Sequence, residues 1–322
     1  MSNSVTVRVP ARLHLGFLDL NGGLGRRFGS IGLPLSEPET VLSLSRAAET
    51  TVEGQDGARA GRYLATLCRH LGLSGPHRLV VEEAIPPHAG LGSGTQMALA
   101  VSAALRTLHG LPLDARADAV VLDRGARSGI GIASFQRGGV IVDGGKLAAD
   151  APPPVLAHLP FPEDWRAILV LDRRQSGIHG TAEIEAFRDL PEFPAETAAA
   201  ICRHVLMGMM PALVERDIAR FGAAVTAIQH MVGTHFAPVQ GGVFTSKPVA
   251  ASAQRLAAAG AVGIGQSSWG PTGFAFAPSQ EAAAAMAGTV RGTVPDGIEI
   301  RIVSGRNHGA TIVSTELGLV GS

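Results

Sequence analysis

Residues 86–96 read Pro86-Pro-His-Ala-Gly-Leu-Gly-Ser-Gly-Thr-Gln96 and place three glycines within five positions. The segment follows residues 79–84, a run typical of a β-strand, and opens into residues 94–109, which are apolar nearly all round and predict a buried helix. Glycines permit a backbone path in which consecutive N–H groups face a ligand. The first turn of a helix adds unpaired N–H donors and a partial positive charge, so the segment predicts a strand–loop–helix unit that binds an anion.

The glycine-rich loop alone leaves a second interpretation open, because a tight turn that merely feeds a packed helix would use the same residues. It is not a Walker sequence, since no Gly-Lys-Ser/Thr follows, and it is not a dinucleotide fingerprint, since no acidic strand end is evident downstream. Ser93 and Thr95 supply hydroxyl groups, and we expect one of them to cap the start of the helix. Gly110, followed by Pro112, is expected to end it.

The composition is that of a globular protein and excludes several functional classes. The chain has 322 residues, of which 46% are hydrophobic, and its net charge is zero at pH 7, which disfavours a sequence-independent grip on nucleic acid. Cys68 and Cys202 are the only cysteines, so the sequence has neither a disulfide framework nor a zinc pattern. No secretory signal and no uninterrupted apolar run of about 18–20 residues is visible. We therefore expect a cytoplasmic protein without nucleic-acid or membrane partners.

Strand-like and helix-like segments mix along the chain without strict alternation, which predicts an α+β fold of two domains. The predicted strands are residues 5–9, 79–84, 138–145, 167–171, 261–265, 273–276 and 299–303, and the predicted helices are residues 94–109 and 218–232. The glycine-dense residues 21–32 predict a loop or a hairpin. The stiff stretch Asp150-Ala-Pro-Pro-Pro154 is the predicted boundary between an N-terminal domain of residues 1–154 and a C-terminal domain of residues 155–322.

Three segments resemble the motifs of the GHMP superfamily, in the same order along the chain. Residues 86–95 resemble the second family motif, Pro-x-x-x-Gly-Leu-Gly-Ser-Ser-Ala. Pro10-Ala-Arg-Leu-His-Leu-Gly16 resembles the N-terminal strand motif, and Gly263-Ile-Gly-Gln-Ser-Ser-Trp-Gly-Pro-Thr-Gly273 resembles the glycine-rich C-terminal motif. The resemblance implies a two-domain GHMP-kinase-like fold, with a left-handed β-α-β crossover in the N-terminal domain, a ferredoxin-like C-terminal domain and the site in the cleft between them.

Most members of this superfamily transfer a phosphoryl group from ATP, and many use an Asp to assist loss of the acceptor's proton. The matching turn here is residues 127–135, where Ile132 or Ala133 stands in the place of that Asp. Some kinases of the superfamily also lack the Asp. Its absence therefore weakens the kinase interpretation without removing it.

Five segments resemble one branch of the superfamily, the β-ribofuranosylaminobenzene 5′-phosphate synthases. They are residues 12–26, 29–33, 127–131, 138–145 and 265–272. The resemblance implies a glycosyltransferase that joins 4-aminobenzoate, or 4-hydroxybenzoate, to phosphoribosyl pyrophosphate and releases CO2 and pyrophosphate in tetrahydromethanopterin biosynthesis. It also implies a homodimer.

The chemistry of this branch is compatible with the missing Asp. The bond from C1 of the ribose to the pyrophosphate loosens, and the ring carbon that carries the carboxylate attacks. Loss of CO2 then restores aromaticity, so no general base is required. The site must hold the pyrophosphate, neutralise its departing charge and place the ring close to C1, with Mg2+ as the expected cofactor.

Asp19 and Arg26 flank the glycine-rich loop after the first strand and are the catalytic candidates. The branch resemblance favours Asp19 as a ligand of Mg2+ or of a ribose hydroxyl, and a turn-capping role is the alternative. We expect Arg26 to bind a phosphate or the benzoate carboxylate, and leave Arg27 open. Arg12 and His14 alternate along one strand and are predicted to bind substrate, although a core histidine explains His14 equally well.

The other predicted substrate-binding residues lie on the two glycine-rich segments. They are Gly90, Gly92, Ser93, Gly94, Thr95, Gln96, Gln266, Ser267 and Ser268. Trp269 either stacks on an aromatic ring or packs beneath its loop. His179, His230 and His235 lack a third ligand and a defined geometry, so no transition-metal site is predicted there. Asp143 is predicted to be a turn residue.

Two other functions stay open at this point. A GHMP small-molecule kinase would consume ATP with a hydroxylated acceptor. A non-catalytic sensor built on the same fold would bind a phosphorylated ligand without turnover.

Overall fold

The chain forms two β-sheets flanked by helices in a computed structural model that describes residues 2–147, 151–177, 185, 188 and 190–316. The strands of the larger sheet are β1 (Ser2–Asp19), β2 (Phe28–Arg46), β3 (Thr51–Gly54), β4 (His77–Glu83), β5 (Val140–Asp143), β6 (Val155–Leu159) and β11 (Thr311–Glu316). Their order is β11-β1-β2-β4-β3, with β5 pairing β2 and β6 pairing β5. The smaller sheet is antiparallel, in the order β10 (Ile298–Ser304), β7 (Arg166–Asp172), β9 (Thr272–Ala277) and β8 (Val262–Gln266).

The helices cover both sheets and connect their strands. They are α1 (Gly57–Leu71), α2 (Ser93–Leu108), α3 (Ala115–Val121), α4 (Ile130–Gln136), α5 (Ala195–His204), α6 (Met210–Glu215), α7 (Ile218–Gln240), α8 (Lys247–Ala258) and α9 (Gln280–Arg291). A π-helical turn, Val205–Met209, joins α5 to α6. Strands β3 and β4 are parallel and α1 connects them, which makes the β-α-β crossover unit of the larger sheet.

The long β1–β2 hairpin runs through two of the hydrophobic cores. Its register shifts between Pro10 and Arg12 and again between His14 and Gly16. Such bulges bend a strand and re-aim its side chains. The first half of β1 therefore packs with α1 and α2, while the second half packs against α7. Gly16 is required at the second contact, because a Cβ there would lie 2.6 Å from Cγ2 of Ile228.

The predicted α+β class and the order of predicted elements are confirmed. The glycine-dense residues 21–32 are a hairpin, and β2 already begins at Phe28. Gly32 belongs to the strand because it packs against α4, where a Cβ would lie 2.7 Å from Cδ1 of Ile130. The helix predicted over residues 94–109 is α2, but neither Ser93 nor Thr95 caps it. Gly92 is the N-cap, with a left-handed backbone at φ 82°, and no side chain makes a capping hydrogen bond at the N-terminus of the helix.

The predicted domain boundary falls between strands of one sheet. Residues 151–154 precede β6, which pairs with β5, and β11 near the C-terminus pairs with β1. The larger sheet therefore takes two strands from beyond residue 154. The division at residue 154 stays a prediction, and Asp150 lies outside the described residues.

One helix in the described part of the chain is long and apolar enough, by length and composition, to cross a bilayer. It is Ala195–Glu215, with a mean hydropathy of 1.4 over its most apolar window, one third of which is buried. Ile201, Val205 and Met209 pack into the core, as one face of a surface helix does.

Candidate active site

The glycine-rich loop, residues 86–92, is connected to β1 and to the turn after β8 through one buried serine. Ser267 Oγ donates a hydrogen bond to the carbonyl of Gly90 (2.8 Å) and accepts one from the backbone N–H of His14 (2.9 Å). The backbone N–H of Arg12 also donates to the carbonyl of Leu91 (3.0 Å). The three motif segments predicted to form a site are therefore in direct contact.

The three glycines of the loop have different roles. Gly90 has φ 79°, and a Cβ there would lie 2.1 Å from the carbonyl oxygen of Ser267. A Cβ at Gly92 would lie 3.1–3.2 Å from the side chain of Arg12. For a Cβ at Gly94, in the first turn of α2, the three nearest atoms outside the helix backbone would be guanidinium atoms at 3.6–3.8 Å. Gly90 thus permits backbone contact with the turn after β8, whereas Gly94 faces the arginines.

Three arginines stand around the first turn of α2. Besides Arg12, they are Arg59 from α1 and Arg124 from the turn after α3. Arg59 Nη1 donates to Ser93 Oγ at 3.4 Å, and Arg124 Nη2 donates to the Tyr63 hydroxyl at 2.8 Å. The Arg124 guanidinium also lies over the Tyr63 ring, 5.6 Å from its centre. Guanidinium groups beside the positive end of a helix make a cradle for a phosphate or pyrophosphate.

Part of the hydrogen-bonding capacity of these arginines is unused. Nε and Nη1 of Arg12 and Nε of Arg124 are buried and have no hydrogen-bond partner within the described residues. Burial lowers the pKa of Arg12 to about 10, which the nearby Asp143 opposes, so Arg12 keeps its charge at neutral pH. Buried cationic donors without partners indicate that an anion belongs there.

Sequence reasoning missed Arg59 and Arg124. Neither lies in a glycine-rich motif, and tertiary packing brings both to α2. Arg59 also forms an ion pair with Asp56 (3.2 Å). Opposite charges three residues apart commonly pair at a protein surface, so this spacing does not indicate a binding site.

Helix α4 packs beside the loop and carries no acidic residue. Gln96 Nε2 donates to the carbonyl of Gly131 (3.2 Å), which holds the two helix starts together. Ile132 and Ala133, which stand where many relatives have an Asp, are buried in this contact region. The structure therefore offers no general base at this position.

Asp143 fixes the turn before α4 to the β1–β2 hairpin. Its Oδ1 accepts from the N–H groups of Ser30 (3.2 Å) and Gly145 (3.0 Å), and its Oδ2 accepts from that of Gly129 (2.8 Å). Burial raises the pKa of Asp143 to about 6, and these donors oppose the shift. The contact to Gly145 is that of a turn residue, and the other two connect separate segments.

We expect Asp143→Asn to destabilise the protein. Both carboxylate oxygens accept N–H bonds, so an amide nitrogen would face a donor in either orientation. An unpaired buried group of this kind costs about 1–3 kcal/mol. Urea unfolding monitored by circular dichroism measures the change, and equal midpoints for wild type and variant would contradict it.

Asp19 is the last residue of β1, and Arg26 lies on the loop between β1 and β2. Arg12 lies in the interior of β1, and the bulge between His14 and Gly16 falls between Arg12 and Asp19. Asp19 Oδ1 accepts from the N–H groups of Asn21 (2.7 Å) and Gly22 (3.0 Å), the contacts of a turn cap. Within the described residues Oδ2 makes no hydrogen bond, and Nη1 of Arg26 is buried without a partner. Asp19 therefore caps its turn through Oδ1 and leaves Oδ2 available.

The predicted polar turn after β8 is largely engaged in holding its own shape. Gln266 Oε1 accepts from the N–H of Thr245 (2.7 Å), and its Nε2 donates to the carbonyl of Ser268 (3.1 Å). Ser268 has φ 56°. Trp269 is buried and packs edge-on against Phe236, with ring centres 4.7 Å apart, so the packing alternative holds for this residue in the structure.

Two of the three histidines for which no metal role was predicted lie in the described part of the chain. His230 is exposed on α7, and His235 packs edge-on against Phe193 (4.8 Å). His179 lies outside the described residues. The part of the chain that the structure describes contains no group of three or more His, Cys, Asp or Glu residues able to hold a metal ion.

The sequence of this chain is similar to those of known enzymes. The family profile described as GHMP kinases N terminal domain matches residues 58–139, and the profile described as GHMP kinases C terminal matches residues 209–296. A β-ribofuranosylphenol 5′-phosphate synthase of Methanothermobacter thermautotrophicus is 33% identical over 329 residues, covering 95% of this chain and 98% of the relative. One from Archaeoglobus fulgidus is 35% identical over 239 residues, covering 70% and 75%.

Solved structures similar to this one include two kinases. A homoserine kinase from Cytophaga hutchinsonii superimposes with a TM-score of 0.69 at 19% identity, covering 97% of this chain and 98% of that one. The L. major mevalonate kinase in complex with R-mevalonate gives 0.71 at 16% identity, covering 94% and 96%. At such identities the likeness shows the fold alone.

Proposed function

This chain belongs to the GHMP superfamily and, within it, to the β-ribofuranosylphenol 5′-phosphate synthase family, and we propose that it catalyses the decarboxylating condensation of a para-substituted benzoate with phosphoribosyl pyrophosphate. The resemblance found in the glycine-rich motifs is thereby confirmed. The products are a ribofuranosyl benzene 5′-phosphate, CO2 and pyrophosphate. The phenol in the names of the relatives favours 4-hydroxybenzoate as the acceptor, with 4-aminobenzoate as the alternative.

One observation carries the proposal. The arginine cradle surrounds the first turn of α2, and the neighbouring helix α4 carries no acidic residue. As the bond from C1 to the pyrophosphate oxygen breaks, negative charge builds up on the leaving group. Arg12, Arg59 and Arg124 lie around the first turn of α2, where they would neutralise that charge. The ring carbon that bears the carboxylate forms the new bond to C1, and the electrons of the carboxylate bond return to the ring as CO2 departs. No proton has to be removed from the attacking carbon, which suits Ile132 and Ala133 in α4.

Mg2+ is part of the proposal as an ion that accompanies pyrophosphate. Around the cradle, Asp56 pairs with Arg59, and both oxygens of Asp143 are occupied, so these residues do not fit a cation site. Mg2+ commonly takes one or two carboxylates and completes its shell with phosphate oxygens and water. Asp19, with Oδ2 available, is the residue we propose for that role or for a ribose hydroxyl, and Arg26 for a second anionic group of the substrates.

We also propose that the enzyme acts in the cytoplasm as a homodimer. Three apolar side chains on the helix Ala195–Glu215 support the dimer, since Leu206, Met207 and Val214 are 63%, 71% and 70% exposed. Adjacent exposed apolar groups of this kind mark association surfaces.

The test is incubation of the protein with phosphoribosyl pyrophosphate, Mg2+ and carboxyl-labelled 4-hydroxybenzoate or 4-aminobenzoate. We expect labelled CO2 that depends on both substrates and does not require ATP. ATP consumption with a phosphorylated acceptor and no CO2 would instead establish a kinase. Binding of phosphoribosyl pyrophosphate without any turnover would indicate a sensor.

A further inference from the structure

An open pocket lies beside the arginine cradle, between the turn after α3 and the segment that follows β5. Its cavity volume is about 210 Å³, the space that about seven water molecules take in the liquid. Arg124 lines this pocket and also stands at the first turn of α2, where its Nη1 would lie 3.6 Å from a Cβ at Gly94. The pocket and the cradle therefore share one guanidinium group.

Lys146 supplies a second cation to this pocket. Its backbone is fixed to the β1–β2 hairpin, because its N–H donates to the carbonyl of Arg27 (2.9 Å) and its carbonyl accepts from the N–H of Arg27 (3.1 Å). Its ammonium group forms neither an ion pair nor a hydrogen bond with any residue that the structure describes. An unpaired ammonium group beside an arginine is available to an anion.

The turn after α3 adds backbone donors to the same pocket. Asp123 and Gly125 have left-handed backbones, at φ 55° and φ 79°. The N–H groups of Gly125 and Ala126 make no hydrogen bond in the described part of the chain. Consecutive free N–H groups in a turn of this kind form a concave site for an anion.

Asp123 gives the pocket a negative group, which decides the class of ligand. Its side chain is exposed and has no hydrogen-bond partner among the described residues. A carboxylate repels a bare phosphate ion, whereas it accepts hydrogen bonds from sugar hydroxyls, as acidic residues do at the ribose in dinucleotide-binding folds. Cations and N–H donors together with one carboxylate suit a sugar phosphate better than a free anion.

We propose that this pocket binds the ribose 5-phosphate part of phosphoribosyl pyrophosphate. Lys146 and the N–H groups of Gly125 and Ala126 bind the 5′-phosphate. Asp123 accepts hydrogen bonds from the ribose hydroxyls. The inference rests on the function proposed above, which puts the pyrophosphate in the arginine cradle.

The shape of the substrate requires two adjacent anion sites. Its phosphate and pyrophosphate groups are attached through C5 and C1, on either side of the ribose ring. Arg124, which belongs to both the pocket and the cradle, provides that adjacency. Asp19 and Arg26 are then left for Mg2+ and the benzoate carboxylate.

Separate titration of the two parts of the substrate tests the proposal. In protein saturated with pyrophosphate, Lys146→Met should weaken ribose 5-phosphate binding about 10- to 150-fold, the loss of one charge-assisted hydrogen bond, and its affinity for pyrophosphate alone should be unchanged. Arg59→Met should weaken pyrophosphate instead, because Arg59 lies at the cradle and does not line the pocket. Isothermal titration measures both affinities. Lys247→Met is the matched control, since Lys247 is the second of the two lysines and is exposed at the start of α8, and it should bind both ligands as wild type does.

Two further variants examine the groups assigned to the ligand. Lys146→Arg keeps the charge and should keep most of the affinity for ribose 5-phosphate. Asp123→Asn removes the repulsion of phosphate and weakens the bond to the hydroxyls. It should therefore bind inorganic phosphate more tightly and ribose 5-phosphate about fivefold more weakly, which tests the pocket even if Lys146→Met does not fold. Unchanged affinity for both ligands in Asp123→Asn would exclude the ribose from this pocket.

Failure of the pocket and failure of the proposed function give different results. If ribose 5-phosphate does not bind to wild-type protein, or binds equally well to folded Lys146→Met, the pocket is wrong, and labelled CO2 from wild-type protein would still support the function. If Lys146→Met selectively loses ribose 5-phosphate while wild-type protein releases no CO2, the pocket is a sugar-phosphate site and the function is wrong.

Discussion

Arg12→Met is expected to abolish most of the catalytic activity while the protein keeps, or gains, thermal stability. Nε and Nη1 of Arg12 are buried and have no hydrogen-bond partner in the described part of the chain, so the charge is desolvated and the nearby Asp143 offsets only part of the cost. A methionine of similar length removes that penalty and still fills the space beside Gly92. Each charge-assisted hydrogen bond lost to the substrate costs about 10- to 150-fold in rate. With two donors removed, we expect a decrease of at least about 100-fold in kcat/KM.

Steady-state CO2 release and thermal unfolding measured on the same preparations separate these two effects. Arg78→Met is the matched control, because Arg78 is exposed and, among the described residues, pairs with the exposed Glu53, at 3.1 Å. That variant should keep both activity and stability. Wild-type efficiency in Arg12→Met would show that the cradle does not hold the leaving group. A large loss of stability would show that Arg12 supports the fold.

How far the sequence predicts this site depends on whether its residues share a local motif. The sequence identifies Arg12, Gly90 and Gly92, because β1 and the glycine-rich loop carry motifs that resemble those of the family. These motifs, and their order along the chain, can be recognised in a single sequence. The sequence does not identify Arg59 and Arg124, since α1 and the turn after α3 reach α2 only through packing around the core of the larger sheet. Their sequence surroundings are those of ordinary surface arginines.

The sequence also leaves apart residues that the fold brings together. Ser267 and His14 are far apart in sequence and share a hydrogen bond of 2.9 Å. Helix capping was predicted incorrectly for a related reason. Gly92 takes the N-cap because its left-handed backbone leaves the helix start open towards the arginines.

Gly90→Val is expected to disrupt the contact between the glycine-rich loop and the turn after β8. A Cβ at this position would lie 2.1 Å from the carbonyl oxygen of Ser267 and 3.0 Å from Cα of Gly270, both backbone atoms that cannot turn aside. The backbone at φ 79° adds strain for a β-branched residue, of about 1–3 kcal/mol. We therefore expect a loss of several kcal/mol in unfolding free energy, with loss of activity as its consequence. Urea unfolding and CO2 release measure the two.

Gly94→Val supplies the matched comparison, because the same substitution four residues later meets no backbone. Its Cβ would lie 3.6 Å from Nη1 of Arg124 and 3.8 Å from Nη1 of Arg59, which is ordinary contact distance. Valine has a slightly better helix propensity than glycine, so stability should be retained. The added methyl groups would occupy the space between the guanidinium groups and the first turn of α2, and pyrophosphate binding should weaken at least about tenfold. Stable protein with unchanged pyrophosphate affinity in Gly94→Val would move the anion away from this helix start, and Gly90 would then be required only for folding.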